Sequence, residues 1–283
     1  MKVALVTLCL NEAEFIEKNY AQHANWPGLA AWIFVEAADH AYAAASPSMV
    51  SHHGLSIDAT TEILDRLSTC DERVTVIHHG WMRHTDPAQG KCEGRNRYME
   101  IADEVRPDMF IVIDQDEFYS REDQLRINEL VDLDREHRCF RLHQRHIWRP
   151  PSIAHEPLFR HEVVGGYWSV EHVRVFRWCP GLRYTKNHNW PELPGYAPTK
   201  RMFKSPFSGP QCVHLGFARS PRERMATNRY YEHRGEGKEQ HGINRQMYVN
   251  CRSSWESWSP GDDLPHGARV IEYRGESIPE VHQ

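Results

Sequence analysis

Several features that would place a chain in a familiar class are missing here. Across 283 residues no apolar run reaches the ~18 residues that read as a bilayer span, so no transmembrane segment is expected. The seven cysteines are odd in number, scattered, and contain no C-x-x-C pair. That excludes a disulfide framework and predicts free thiols in a reducing, cytoplasmic compartment. Net charge is only −5, so the whole-molecule field gives no reason to favour nucleic acid as a partner. The adjacent pairs His52-His53 and His78-His79 do not match zinc-ligand spacings, and a metallohydrolase is not supported. No internal repeat is visible. The opening Met1 to Leu10 lacks a small-residue cleavage site and runs directly into Asn11-Glu12-Ala13-Glu14, so it is expected to be a first strand and not a secretion signal.

What is present is alternation. Val3 to Leu10 reads as a buried strand, with Asn11 as the cap of a helix carrying Phe15, Ile16 and Tyr20. Trp32 to Val35 reads as a second strand ending in Glu36 and Asp39, followed by a loop from Ala41 to Gly54. A helix starts near Asp58 or Thr60, with Ile63, Leu64 and Leu67 facing inward. Val74 to His78 is a third strand, and Gly90 to Glu104 a helix stopped by Pro107. The β-α-β-α-β-α-β order predicts an α/β fold: a mostly parallel, Rossmann-like sheet with flanking helices.

The stretch around which this is organised is Phe110-Ile111-Val112-Ile113-Asp114-Gln115-Asp116-Glu117-Phe118. Four apolar residues suit a strand buried on both faces, and the carboxylates then sit at the carboxyl edge, where open α/β sheets keep their ligand crevices. On a continuing strand Asp114 and Asp116 would leave on the same side. Two like charges so close call for a cation, and oxygen ligands suit Mg²⁺ or Mn²⁺. Such an ion would neutralise charge developing on a diphosphate leaving group. Arg95 is read either as a fixed charge near the phosphates or as a surface ion pair with Glu93 or Glu100. Glu36 or Asp39 would accept hydrogen bonds from ribose or base, as acids ending a second strand do in nucleotide folds.

Four features in order resemble a GT-A glycosyltransferase of the family 2 type. They are Thr7-Leu8-Cys9-Leu10-Asn11-Glu12, a second strand ending in an acid, Ser56-x-Asp58-x-Thr60 before a helix, and Gly94-Arg95-Asn96 before the D-x-D strand. Asp114 to Phe118 is similar to the D-x-D-E-F form of these enzymes. The resemblance covers about residues 3 to 118, with a long insert between Asp39 and Ser56 as its departure. It implies a nucleotide-diphosphate sugar as donor, served by Thr7, Asn11, Glu12, Glu36, Asp39, Asp58, Arg95 and Asp114. Asp58 is equally well explained as a helix cap. It also implies a cation held by Asp114 and Asp116 and completed by a late histidine, for which His214 is the candidate.

Beyond Glu117 the rhythm changes. A helix near Arg121 to Val131 and strands at Cys139 to Trp148, Val170 to Trp178 and Gln211 to Leu215 are expected, then a charged helix at Arg222 to Arg234 and an irregular tail after Trp258. The whole, residues 1–283, reads as one domain, with a donor half to about residue 118, an acceptor half to about 258, and the tail. An inverting transfer needs a base for the acceptor hydroxyl. Glu192, Glu171 and Glu156 are candidates, with Glu117 an outsider. The segments Asp134 to Arg149 and Arg219 to Arg234 each hold five arginines against two acids. They are read as solvated faces or as contacts for donor phosphates or an anionic acceptor. Two alternatives remain: a nucleic-acid-directed module, such as one glycosylating modified DNA bases, and a GT-A-shaped nucleotidyltransferase.

Overall fold

A computed structural model describes residues 1–147, 159–162, 171–186, 188–192, 202–204, 209–214 and 269–272. The first half follows the expected alternation: β1 (Val3–Cys9), α1 (Ala13–His23), β2 (Leu29–Ala38), α2 (His40–Ala45), α3 (Thr60–Cys70), β3 (Val74–Trp81), α4 (Pro87–Val105) and β4 (Met109–Val112). Then come β5 (Glu117–Phe118), α5 (Arg121–Leu133), β6 (Cys139–Ile147), β7 (Phe159–Glu162), β8 (Glu171–Arg177), β9 (Met202–Lys204), β10 (Gln211–His214) and β11 (Arg269–Glu272). No helix among the described residues is long and apolar enough to cross a membrane.

The sheet runs β11-β7-β6-β8-β4-β1-β2-β3. β4, β1, β2 and β3 are mutually parallel, as the helical crossovers between them require. From β4 outward the path β8, β6, β7, β11 is antiparallel, with β9 and β10 lying parallel to β6. Both faces of the parallel half are buried. Leu5, Trp32, Phe34, Ile111 and Ile113 pack with Ile16 of α1, Leu64 of α3 and Ile127 of α5. Ala4, Val6, Ile33, Val35, Phe110 and Val112 pack against Tyr98, Met99 and Ala102 of α4. That is why these strands read as continuous apolar runs.

Two expectations need correction. The stretch after Asp39 is not all loop: His40–Ala45 forms a helix because alanine is a strong helix former and Asp39 caps it, accepting from the Tyr42 amide at 2.7 Å. The tail is not wholly irregular, since Arg269–Glu272 pairs with β7, a partner more than a hundred residues away that local pattern cannot supply. The arginine-rich segment from residue 134 is mostly β6, the strand expected there, which lies between β7 and β8 in the sheet. Its companion, Arg219 to Arg234, and Glu156 lie outside the described residues.

Candidate active site

After Val112 the strand stops and Asp114, Gln115 and Asp116 form a tight turn, with the Glu117 amide donating to the Asp114 carbonyl at 3.0 Å. The two aspartates are therefore set by a turn and not by strand alternation. Glu117 and Phe118 then pair with β10, which places His214 directly opposite Glu117. His214 Nε2 stands 3.6 Å from Asp116 Oδ2. A residue almost a hundred positions downstream thus joins the acidic turn because β10 threads between β5 and β6.

The dominant cation of the site is Arg174, on β8 beside β4. Its guanidinium donates to Asp114 Oδ2 at 2.5 Å and also to Glu117 Oε1. Glu117 accepts from Gln144 of β6 as well, and its second oxygen accepts from the Asp114 amide at 3.1 Å. Arg95 of α4 lies buried nearby, its guanidinium 5.5 Å over the Tyr184 ring. Of the two readings of Arg95, the surface ion pair is not made: Glu93 takes His79 and Arg83, and Glu100 takes Arg97. Asn96, next along α4, holds Tyr184 from both sides, donating to its carbonyl at 2.9 Å and accepting from its amide at 2.8 Å.

Charge states follow from these contacts. Burial works against the Asp114 anion, but Arg174, Arg95 and His214 outweigh it and hold that carboxyl well below the usual range. Burial pushes the Glu117 carboxyl up to about 8; Arg174 opposes this, while Asp114 and Asp116 reinforce it. Burial, with Arg174 and His214 adding to it, lowers His172 to about 3, so that ring is neutral at physiological pH.

The turn is shaped from beneath by α1. The buried Asn19 side chain donates to the carbonyls of Gln115 at 2.9 Å and Glu117 at 2.7 Å, and its own oxygen lies 3.1 Å from His23 Nδ1. His23 Nε2 accepts from the Tyr119 amide at 3.0 Å. With Asn19 Nδ2 occupied by two carbonyls, Nδ1 of His23 carries the proton. Gln22 adds a bond to the Tyr119 carbonyl at 2.8 Å.

The residues expected on the donor side divide differently. Three successive amides at the start of α1 are each met by an oxygen from one short segment: Asn11 N–H by Ser56 Oγ at 2.9 Å, Glu12 N–H by Thr60 Oγ1 at 2.7 Å, and Ala13 N–H by Asp58 Oδ2 at 3.1 Å. The other Asp58 oxygen accepts from the Thr60 amide at 3.0 Å. The Ser-x-Asp-x-Thr pattern is thus the cap of α1, supplied from outside the helix, and the place where many nucleotide folds seat a phosphate is already filled. Asn11 does not cap by its side chain: it sits at φ 56°, donating to the Met49 carbonyl and accepting from the Ile57 amide. Thr7 is fully buried between the Ile113 carbonyl and Trp32 Nε1. Glu36, expected to meet ribose, has no exposed surface and accepts from the Ser56 amide, Thr61 Oγ1 and His78 Nδ1. It braces β2 to β3 and α3. Asp39 caps α2.

Of the candidate bases, Glu117 is wholly buried and held by Arg174 and Gln144, so it cannot reach an acceptor. Glu192 pairs its backbone with Arg183 and accepts from Thr185 Oγ1 at 2.6 Å. Glu171 begins β8, and its side chain lies outside what is described. A cavity of about 590 Å³, lined by His79, Trp81, Gln89, Glu93, Asn96 and Tyr184, opens beside α4 on the same Tyr184 that Arg95 covers.

A divalent cation fits part of this set. A carboxylate and an imidazole are suitable donors for Mn²⁺, and Asp116 and His214 are close enough to share one ion. Asp114, the third expected donor, is bonded to Arg174 instead, and among the described residues no three His, Cys, Asp or Glu groups converge on one position.

No protein-family model matches the chain, and no curated protein does. Solved structures show likeness in shape. TarS 1-349 of S. aureus, in complex with UDP-GlcNAc, is 11% identical, with 90% of this chain and 73% of that one covered and a TM-score of 0.43. A mannosyltransferase of Pyrobaculum calidifontis, in complex with GDP-Man and Mn2+, is 11% identical, with 93% and 76% covered and a TM-score of 0.43. A 4-diphosphocytidyl-2C-methyl-D-erythritol synthase of Anaerococcus prevotii is 9% identical, with 62% and 70% covered and a TM-score of 0.35.

Proposed function

We propose that the chain is a glycosyltransferase that moves a sugar from a nucleoside-diphosphate donor to an acceptor hydroxyl. The observation that carries this reading is the meeting of Asp114, Asp116, His214, Arg174 and Arg95 at the carboxyl edge of the parallel strands. In the reaction the bond from the anomeric carbon to the β-phosphate oxygen breaks, the acceptor oxygen bonds to that carbon, and the diphosphate departs with an added negative charge. Arg95 and Arg174 are fixed cations beside the place where that charge develops, in surroundings drier than water, where such charges act most strongly. Asp116 and His214 would hold a divalent cation, which supplies Lewis-acid stabilisation of the same oxygen. In this reading the parallel half seats the donor and the later strands shape the acceptor side, where Glu192 or Glu171 takes the hydroxyl proton if the reaction inverts. The filled cap of α1 directs the phosphates away from the first strand–helix turn and toward Asp114 and Asp116.

The test is donor turnover. UDP-glucose, UDP-GlcNAc and GDP-mannose are each incubated with the protein and Mn²⁺, and released nucleoside diphosphate is measured. Asp116→Ala is expected to lower the rate at least about 10²-fold, the scale of losing one group that stabilises a developing oxyanion. An unchanged rate overturns the assignment of Asp116, and release of pyrophosphate when a nucleoside triphosphate and a sugar 1-phosphate are supplied in place of the nucleotide-sugar reassigns the enzyme as a nucleotidyltransferase.

A further inference from the structure

We propose that Arg174 is a resident counter-ion for Asp114, handed over to the donor's diphosphate when that anion arrives, so that the site takes a divalent cation together with a diphosphate far better than it takes the cation alone. The proposal rests on the glycosyltransferase reading for the identity of the ligand, and on the following geometry for the exchange.

Arg174 is buried and places one terminal nitrogen on both Asp114 and Glu117. Those two carboxylates differ. Glu117 has no exposed surface and is fixed by Gln144 and by the Asp114 amide, so it stays. The Asp114 side chain is 36% exposed, on the same turn as Asp116 and His214, so it can exchange partners with solvent ligands. Two N–H groups are left over: the Nε of Arg174 and the Nε of Arg95 are buried and have no hydrogen-bond partner among the described residues. Buried donors normally have partners, and two unused guanidinium donors beside a solvent-facing carboxylate are the chemistry of an anion site awaiting its anion. A bare divalent cation, by contrast, meets two carboxylates, Asp114 and Asp116, already opposed by two guanidinium groups, with Asp114 directly bonded to one. Binding of the diphosphate to Arg174 releases Asp114 toward the cation, and the two ligands favour each other by the same factor in either order.

The experiment titrates the full chain with MnCl₂ alone, with inorganic pyrophosphate alone, and with Mn²⁺–pyrophosphate, by calorimetry and by the electron paramagnetic resonance of unbound Mn²⁺. Arg174→Met is expected to tighten binding of Mn²⁺ alone by about tenfold, within the usual 5- to 150-fold range of such couplings, and to weaken binding of pyrophosphate alone. Opposite changes are the signature, because a merely structural role would weaken both. Equal or weaker Mn²⁺ binding in a folded Arg174→Met overturns the proposal. Should that variant fail to fold, Asp114→Asn carries the test from the exposed side: it removes the carboxylate that holds Arg174 and is expected to tighten binding of pyrophosphate alone, while unchanged or weaker binding overturns the exchange. Asp116→Asn separates the two ideas. If it leaves Mn²⁺ binding intact, the cation reading itself fails; if it abolishes binding while Arg174→Met changes nothing, only the counter-ion role fails.

Discussion

His23 makes the acid response of this protein a measurable property of the turn that carries Asp114 and Asp116. The ring is fully buried among Trp26, Trp32, Phe118 and Tyr119, and burial lowers its pKa to about 3. Nδ1–H donates to Asn19, and Nε2 accepts from the Tyr119 amide, so a second proton on Nε2 would point at another N–H. The unfolded chain takes up that proton near pH 6.5, whereas the folded chain resists it down to about pH 3. Below pH 6.5 the unfolded state therefore binds more protons, and stability falls as pH falls. Each pH unit across this window costs about 1.4 kcal/mol, so lowering pH from 6.5 to 5 removes on the order of 2 kcal/mol. His23→Gln keeps an amide donor and a carbonyl acceptor but cannot titrate. Urea unfolding of both proteins at pH 7, 6 and 5 isolates the effect, since all other groups cancel in the difference. The wild type should lose about 2 kcal/mol relative to His23→Gln over that range. Parallel curves would show that His23 is not a neutral, buried acceptor, and the account of how α1 holds the turn would fall.

The brace on β3 responds with the opposite sign. His78 bonds Glu36 through Nδ1 and Asp65 through Nε2, and two carboxylates can only accept, so both nitrogens carry protons. Burial lowers its pKa, but Asp65 and Glu36 outweigh that and raise it, so its contribution is full below pH 6.5 and is lost as pH climbs through the raised value. Thermal melts from pH 6 to 9 should show a decline that His78→Gln flattens. Asp58→Ala should cost about 0.5–2 kcal/mol in denaturant melts, as lost helix caps do, while leaving nucleotide affinity unchanged; a selective loss of affinity would restore the donor-contact reading. Gly54 sits at φ 76°, and a Cβ there would meet the Trp81 amide nitrogen at 2.4 Å and the Gly80 carbonyl carbon at 2.7 Å. Gly54→Ala should therefore destabilise by more than about 1 kcal/mol, read as a lower urea midpoint, since neither backbone atom can rotate away.

The later half of the sheet shows why only part of the site was legible. Arg174 lies in a strand with an ordinary pattern, and nothing in Glu171-His172-Val173-Arg174-Val175 marks which arginine will face two carboxylates. Its position follows from the antiparallel pairing of β8 with β4, a contact across more than sixty residues. Asn19 and His23 offered a weak signal, two polar residues at helical spacing on the buried face of α1, beside Phe15 and Ile16. The Ser-x-Asp-x-Thr pattern was visible but its partner was not, since a cap supplied from one segment to another helix leaves no local trace.

Local sequence determined the alternation of strands and helices to Val112, because burial on both faces and helical periodicity are short-range properties written in the order of apolar residues. It also determined that acidic groups would end β4. The tertiary structure alone decided what those acids face. Arg174, Gln144 and His214 arrive from three other strands, and the charge each carboxylate carries depends on which of them arrives and how much water is displaced. Electrostatic environment is a property of neighbours in space, and sequence order does not list them.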